Sequence, residues 1–347
     1  MIGSGTDLAL QRLLDDGRRR AAATDPHHAL LWEALSAAAE GGKRFRPALL
    51  VATHDALGGT SPEAAAEVGA AVELLHTAFV IHDDVIDGDH VRRGRPNVSG
   101  TFRALAGVDG AGPQAAADYG LTAAILAGDL ALTAAVRAVA TCGAAPAVVD
   151  RLLDLFDDAL HATAAGELAD VRLSMGVADA SLAQSLAMEA QKTGAYSFSL
   201  PLQAGALLAG ADARTTARLG EAGRAMGVAF QLADDLIGVF GDPASSGKSA
   251  TSDLRTRKQT PLVVHARSTA EWDRIRGYLG RDLDPGELGE VRELLVASGS
   301  RQFVEDLAVR HLAEARAVLE ALGVPHELLD QVGAAPFVLA DGSGAAA

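Results

Sequence analysis

Apolar residues spaced three and four positions apart over long stretches constrain this chain more than any other feature of its sequence. The pattern runs through five segments, namely Leu8–Ala22, Pro62–Ile81, Ala115–Ala140, Ala147–Leu173 and Thr215–Val239. Such spacing places the apolar side chains on one face of an α-helix, whereas the alternation typical of β-strands is nearly absent. Glycine- and proline-containing stretches predict breaks between helices, one of them a long break over Gly88–Pro113. We therefore predict an all-α chain folded as a single large helical bundle.

Composition is consistent with one domain. Of 347 residues, 49% are hydrophobic, which is ample for a large core, and no linker divides the chain. We predict a single domain over residues 1–340 and a disordered tail over 341–347. The lone cysteine, Cys142, excludes an internal disulfide and favours a reducing compartment. No secretory signal and no uninterrupted apolar stretch of about 20 residues is visible, so we expect a cytoplasmic protein without a membrane span.

Three carboxylates close the second of these helical patterns. Asp83 and Asp87 are four residues apart and share one helix face, with Asp84 beside them. The negative end of the helix dipole disfavours such a cluster unless a cation binds there. Mg²⁺ suits it, because this ion takes hard oxygen ligands and leaves positions for phosphate. The alternative is that this cluster is simply an acidic helix end exposed to solvent. A second acidic pair, Asp234-Asp235, stands at the end of another helical pattern.

Basic residues accompany the acidic ones. Arg92-Arg93-Gly94 follows Asp87 closely, and arginine binds phosphate through two parallel hydrogen bonds. The run Lys43-Arg44-Phe45-Arg46 precedes a helix that we predict to start near Pro47. Cations are unfavourable at a helix N-terminus unless an anion lies between them, so this run predicts a second phosphate site. The net charge of -15 argues against a nucleic-acid surface but not against such local sites.

The order of these motifs resembles the trans-isoprenyl diphosphate synthase (polyprenyl synthetase) family over nearly the whole chain. The matching segments are Gly42–Pro47, Glu73–Thr77, Asp83–Asp87, Arg92–Gly94, Gly128-Asp129, Gly166-Glu167, Lys192–Gly194, Phe230–Asp235, Gly241–Pro243, Gly247-Lys248, Asp253–Arg255 and Lys258. One position departs from the pattern. Gly238 stands where the commoner family form has a third aspartate, and it cannot bind a metal.

The resemblance implies an isoprenoid-synthase fold with a central active-site cavity, a homodimer and Mg²⁺-dependent condensation of isopentenyl diphosphate with dimethylallyl, geranyl or farnesyl diphosphate. Three Mg²⁺ ions would be held by Asp83, Asp87 and Asp234, with support from Asp84 and Asp253. The allylic diphosphate would be bound by Arg92, Lys192, Lys248 and Lys258. Isopentenyl diphosphate would be bound by Lys43, Arg46, His76 and Arg93. Thr193 and Gln231 would stabilise the allylic cation.

Product length depends on the residues before the first acidic motif. Phe79 lies on the same face as Asp83 and about 6 Å along the helix axis, where it could close the pocket; ordinary core packing is the alternative. In the resembled family, enzymes that stop at farnesyl often carry a second bulky residue beside it, but here that neighbour is Ala78. We therefore expect geranylgeranyl diphosphate, with farnesyl diphosphate as the alternative.

Two other classes share parts of this pattern. A class I terpene cyclase is also helical with an acidic motif, but it needs no isopentenyl site such as the Lys43–Arg46 run. A non-catalytic subunit of a prenyl synthase would show decayed metal ligands. Gly238 favours that reading, whereas the intact Asp83, Asp87 and Asp234 oppose it.

Overall fold

The structure is a computed structural model that describes residues 3–176, 178–241 and 252–326. Its helices are α1 Gly3–Ala22, α2 Pro26–Ala39, α3 Phe45–Ala56, α4 Pro62–Ile86, α5 Val98–Val108, α6 Pro113–Ala140, α7 Pro146–Ser174, α8 Leu182–Glu189, a π-helix Ala190–Ser199, α9 Leu200–Leu208, α10 Ala213–Phe240, α11 Ser252–Arg255, α12 Pro261–Ala266, α13 Trp272–Ile275, a 3₁₀ turn Arg276–Tyr278, α14 Pro285–Ala297 and α15 Ser300–Ala321. The strands among these residues are β1 Val91–Arg92 and β2 Arg95–Pro96, which pair antiparallel. The all-α prediction is confirmed.

The described residues divide into two compact units. Unit one comprises the described part of Met1–Phe156 with Ala204–Ala211, and unit two comprises the described part of Asp157–Gln203 and Asp212–Ala347. The prediction of a single domain over 1–340 stays a prediction. The predicted tail over 341–347 lies outside the described residues.

In unit one, α4 is the central helix. It packs against α6 and α3, and also against α1 and α2. Side chains from Val68 to Leu75 are almost fully buried along it, which fixes the rotation of α4 about its own axis. The acidic residues at its C-terminal end are positioned by this packing.

The predicted break over Gly88–Pro113 is wrong in part, because it contains the β1–β2 hairpin and α5. Asn97 caps α5, and its side-chain oxygen accepts a hydrogen bond from the Gly100 backbone N–H at 2.9 Å. Phe102 is buried and anchors the helix. Two glycines within a short helix weaken its sequence pattern, which is why periodicity alone missed it.

The third helix begins at Phe45 rather than near Pro47. Arg44, the residue before the first turn, has a left-handed backbone conformation with φ of 50°. Proline is tolerated within the first turn because the N–H group that it lacks would have no partner inside the helix. Arg46 therefore lies inside the helix and is buried.

In unit two, α10 packs against both the π-helix and α15. Close approach of the π-helix to its neighbours depends on glycines. A Cβ added at Gly223 of α10 would lie 2.5 Å from the Cα of Ser199, and one added at Gly227 would overlap Gly194. A π-helix of ten residues is rare, and short ones are frequent at functional sites.

Two helices, α4 and α6, are long and apolar enough to cross a membrane by length and composition alone. Most of the apolar window of α4 is buried inside the protein, at 72%, compared with 44% for α6. The two helices also pack against each other. Burial of this kind is what core helices of soluble proteins show as well, so the finding is weak support for a membrane span.

Candidate active site

The acidic end of α4 binds an arginine from the hairpin that follows it. Arg92 Nε donates to Asp84 Oδ1 at 2.8 Å, and Arg92 Nη2 lies 3.4 Å from Asp83 Oδ2. The hairpin turn returns Arg92 to the helix, with Arg93 and Gly94 both at positive φ. The predicted grouping of Asp83, Asp84 and Arg92 is therefore found in the structure, and Asp87 follows the last residue of α4.

Asp84 is buried, and burial is the main cause that raises the pKa of its carboxyl above the ordinary value. The hydrogen bond and charge of Arg92 act in the opposite direction. Asp83 and Asp87 are more exposed. Asp84 is thus a buried carboxylate bonded to Arg92, whereas the carboxylates of Asp83 and Asp87 lie at the more exposed edge of the motif.

Arginines gather around His76, two helical turns before Asp83. Desolvation lowers the pKa of His76 well below its ordinary value, and the charges of Arg46, Arg92 and Arg93 lower it further. The imidazole is therefore neutral at neutral pH. Four positive groups, counting Arg44, act on this one ring in a protein of net charge -15. Such a concentration of guanidinium groups is suited to a multiply charged anion.

The basic run before α3 divides into distinct roles. Arg44 forms ion pairs with Glu73 at 2.6 Å and Asp7 at 3.2 Å, and donates to the Ala39 carbonyl, so it holds the loop in place. Arg46 lies over the Phe45 ring at 4.4 Å. Lys43 is exposed.

The guanidinium of Arg93 lies against the turn before α3. A Cβ added at Gly41 would be 3.4 Å from Arg93 Nη1, and Gly41 and Gly42 both have φ of 77°. The structure thus brings Arg93 close to the loop that carries Lys43, and the isopentenyl site itself stays a prediction.

The predicted pocket residues lie on α4 beside these groups. Ala78 is fully buried, and Phe79 is half-buried. His82, one turn beyond Phe79, packs onto Gly128 of α6, where any Cβ would overlap its ring. This contact explains why a glycine occupies position 128.

In unit two, the end of α10 carries a partly buried chain of hydrogen bonds. Thr193 Oγ1 donates to Gln231 Oε1 at 3.0 Å, and Gln231 Nε2 donates to Asp235 Oδ1 at 3.1 Å. Thr193 and Gln231, predicted to act together, are thus in contact. Asp234, next to Asp235, is only partly buried.

Asp235 and Glu189 form a pair of buried carboxyl groups. Burial, followed by the charge of Asp253, raises the pKa of Asp235 to about 8. Burial, followed by the charge of Asp235, raises the pKa of Glu189 well above its ordinary value. Within the described part of the chain, Asp235 Oδ2 and both oxygens of Glu189 have no hydrogen-bond partner of good geometry. Buried acidic oxygens in this state favour a proton or a cation.

Lys192 projects from the π-helix to two carboxylates of α7. Its Nζ lies 2.8 Å from Asp170 Oδ2 and 3.0 Å from Glu167 Oε2. Gly166 permits this approach, since a Cβ there would lie 2.7 Å from the Lys192 Cα. The matching segment Gly166-Glu167 therefore serves to position Lys192.

The remaining predicted groups of unit two lie around α11. Lys258 Nζ lies 3.8 Å from Asp253 Oδ1. Lys248, together with Asp242, Pro243 and Gly247 of the resemblance, lies outside the described residues. Unit one holds Asp83 and Asp87 and unit two holds Asp234, so their predicted meeting stays a prediction.

The residues present fit Mg²⁺ in donor chemistry. The carboxylates of Asp83 and Asp84 attract positive charge, as their contacts with Arg92 show. Asp235 has a buried oxygen without a hydrogen-bond partner among the described residues. Across residues 3–176, 178–241 and 252–326, no group of three His, Cys, Asp or Glu side chains is arranged as a complete metal site. Mg²⁺ does not require one, because it binds through one or two carboxylates together with water and phosphate.

Sequence reasoning missed Glu189 and Asp170. Neither belongs to a motif of paired acidic residues, and each meets its partners only because the fold brings distant segments of the chain together. The available signal was an acidic residue three positions before Lys192 within an otherwise apolar helical pattern.

The chain is similar to known proteins over most of its length. The polyprenyl synthetase family model matches residues 28–295. Geranylfarnesyl diphosphate synthase of Aeropyrum pernix is 33% identical over 283 residues, covering 80% of this chain and 83% of that protein. (2E,6E)-farnesyl diphosphate synthase of Mycobacterium tuberculosis is 32% identical over 293 residues, covering 82% of this chain and 75% of that protein.

A solved structure is also similar. It is described as geranylgeranyl pyrophosphate synthase from Corynebacterium glutamicum complexed with isoprenyl diphosphate and magnesium. Its TM-score is 0.85, its sequence identity is 28%, and the match covers 96% of this chain and 97% of that one. The three names differ in product length.

Proposed function

Because the chain belongs to the polyprenyl synthetase family, we propose that it joins isopentenyl diphosphate head to tail to an allylic diphosphate, with geranylgeranyl diphosphate as the product. The arginine cluster around neutral His76 is the observation that carries the proposal. In an acidic protein, this cluster has the positive charge and the guanidinium donors that bind a diphosphate. The similar structure with bound isoprenyl diphosphate and magnesium supports it further.

Residues of both acidic motifs would hold the metal ions. Asp83, Asp87 and Asp234 would bind Mg²⁺ with support from Asp84 and Asp253, and the number of three ions is carried over from the resemblance. Bound Mg²⁺ would supply the positive charge that neutralises the departing pyrophosphate.

Cationic side chains would act on the allylic diphosphate directly. Arg92 and Lys192 would donate to its oxygens, together with Lys258 and Lys248, of which the last lies outside the described residues. Each of the first two is already bound to carboxylates, which holds it in place before the substrate arrives. Positive charge fixed beside the bridging oxygen favours cleavage of the C–O bond.

The allylic cation would be stabilised by oxygen dipoles of the π-helix and α10. Since the Thr193 hydroxyl donates its proton to Gln231, the lone pairs of its oxygen remain available towards positive charge. Lys43, Arg46, His76 and Arg93 would hold isopentenyl diphosphate while its double bond attacks the cation. The released pyrophosphate would take the final proton, so no protein base is needed.

Phe79 and Ala78 favour geranylgeranyl over farnesyl diphosphate. Phe79 is the bulky residue one turn before Asp83, whereas its neighbour Ala78 is small and fully buried and would leave more room for a growing chain. A farnesyl product remains the second candidate, and the similar mycobacterial enzyme of that name favours it.

We also propose a cytoplasmic homodimer, from the sequence and the resemblance. Exposed apolar side chains on α6, including Leu121, Ile125 and Leu126, offer a surface for a second copy. Sedimentation velocity should give twice the monomer mass, and fractionation of the source cell should place the protein with the soluble contents. A monomer, or a membrane-bound protein, would contradict the respective part.

One assay tests the function. Purified protein is incubated with Mg²⁺, isopentenyl diphosphate and, in turn, dimethylallyl, geranyl or farnesyl diphosphate, and products are sized by chromatography after dephosphorylation. We expect a C20 alcohol that is abolished by chelator. A cyclic hydrocarbon formed without isopentenyl diphosphate would indicate a terpene cyclase. No product from any primer would support a non-catalytic subunit.

A further inference from the structure

The two acidic motifs differ at one position. On α4, Asp83 is followed four residues later by Asp87, so two carboxylates share a helix face. On α10, the residue four positions after Asp234 is Gly238. Judged by its sequence alone, the second motif lacks one carboxylate.

The carboxylate of Asp253 lies beside Gly238. A Cβ added to this glycine would be 2.6 Å from Asp253 Oδ2 and 3.6 Å from its Cγ. In an aspartate side chain, the carboxylate oxygens lie about 2.4 Å from their own Cβ. An oxygen of Asp253 is therefore about as far from this position as the oxygens of an aspartate at residue 238 would be.

The fold holds Asp253 in this place. Its neighbour Leu254 is buried in a core cluster with Leu236 and Val239 of α10. The Leu254 carbonyl accepts a hydrogen bond from the Gly280 backbone at 2.9 Å. Lys258 lies 3.8 Å from the other oxygen, Oδ1. One carboxylate oxygen is thus near a lysine while the other is near Gly238.

A second observation points to a cation here. Asp235 is buried, and its Oδ2 has no hydrogen-bond partner among the described residues. Asp235 precedes Gly238 by three residues on α10, so its side chain and position 238 lie on the same face of the helix. Acidic groups that share one helix face are stabilised by a cation placed among them.

We infer that Asp253 supplies, from a separate segment, the carboxylate that the second motif lacks at position 238, and that residue 238 is glycine because Asp253 occupies its side-chain space. The inference rests on the proposed Mg²⁺ and diphosphate chemistry. It explains why residue 238 is glycine. The missing aspartate is then no reason to regard the second acidic motif as one that has lost its metal ligands.

Moving the carboxylate back to α10 tests this inference. Four proteins are compared: the natural chain, Asp253→Asn, Gly238→Asp, and the double variant. The primary measurement is the apparent affinity for Mg²⁺ in the presence of inorganic pyrophosphate, from the rise in melting temperature, with product formation measured alongside. Melting without Mg²⁺ shows whether each variant folds.

Asp253→Asn should lower the Mg²⁺ affinity by roughly tenfold or more, as expected for loss of a group that supports a metal site. Gly238→Asp alone should also be impaired, because two carboxylates would compete for one space. The double variant should recover most of the natural affinity. The inference is overturned if Gly238→Asp alone matches or exceeds the natural protein, or if the double variant is no better than Asp253→Asn.

Two further variants protect the test against misfolding. Gly238→Ala adds only a methyl group, which must displace Asp253 from 2.6 Å to the 3.4 Å at which ordinary contacts begin. It should lower the Mg²⁺ affinity, and unchanged affinity would contradict the inference. Gly289→Ala, whose Cβ would meet no atom within 4 Å, is the matched control. If the natural protein itself shows no Mg²⁺-dependent shift and no product, the proposed function fails rather than this inference.

Discussion

Gly166→Ala is the substitution that most directly tests the packing behind the site. The added Cβ would overlap the Lys192 backbone nitrogen and lie 2.7 Å from its Cα and 2.8 Å from the Gln191 carbonyl carbon. Ordinary contacts begin at 3.4 Å, so the π-helix must move away from α7 by about 0.7 Å or more. Because backbone atoms are struck, no side-chain rotation can relieve the overlap.

The energetic cost follows from two opposing effects. Overpacking a dense interior costs about 1–3 kcal/mol, and a clash with backbone belongs in the upper part of that range. Alanine is favoured over glycine within a helix by about 1 kcal/mol. We expect the free energy of unfolding to fall by about 1–2 kcal/mol, measured by urea denaturation monitored by circular dichroism.

Activity should fall more than stability suggests. Lys192 would be displaced from Glu167 and Asp170, and a shift approaching 1 Å in a positioned group can reduce rate by about 10²-fold. We expect kcat/KM for the allylic diphosphate to fall roughly tenfold or more, in a protein that is still folded. Gly289→Ala is the control and should stabilise the chain slightly without changing kcat/KM. If Gly166→Ala matched that control in both measurements, the assigned packing role of Gly166 would be refuted.

Three more predictions concern single side chains. Asp83→Asn should reduce kcat by roughly 10²-fold or more while leaving the melting temperature without Mg²⁺ nearly unchanged, because it removes charge from a rim position; retained activity would exclude Asp83 from the site. Phe79→Ala should shift products beyond C20 in the sizing assay, and an unchanged spectrum would remove Phe79 from chain-length control. The pKa of Asp235 is raised to about 8 from 3.8. Between these two pH values the folded protein therefore keeps a proton on Asp235 that the unfolded chain has already released. In Mg²⁺-free buffer, its contribution should make the free energy of unfolding fall by up to about 1.4 kcal/mol per pH unit over that window. Asp235→Asn should remove this contribution and leave that of Glu189, whose pKa is also raised; an unaltered pH profile would show that Asp235 is not a titrating group.

Much of the fold and site could be predicted because the signals are local. Helical periodicity predicted the long helices, including α4 and α10, and the i, i+4 spacing placed Asp83 and Asp87 together. The proximity of Arg92 to Asp83 also followed from short sequence separation. Each of these depends on residues within a few turns of one another.

What could not be predicted depends on contacts between distant segments. The π-helix exists where glycines of α7 and α10 permit close backbone approach, and no periodic pattern encodes that. The position of Asp253 beside Gly238 likewise results from core packing of Leu254. From sequence alone, Gly238 suggested that the second acidic motif had lost a carboxylate, because Asp253 is distant from it in the chain.

The central helix α4 also limits how the sequence can evolve. Glu73, His76, Phe79 and Asp83 lie on it at intervals of three or four residues, and the helix is held in one rotation by its buried side chains. Inserting or deleting a single residue would turn everything beyond that point by about 100°. The acidic end would then turn away from the helix face that carries Glu73 and His76, while the apolar side chains beyond that point would leave the core. Relatives of this protein should therefore vary along α4 by substitution and keep its length between the histidine and the first aspartate unchanged.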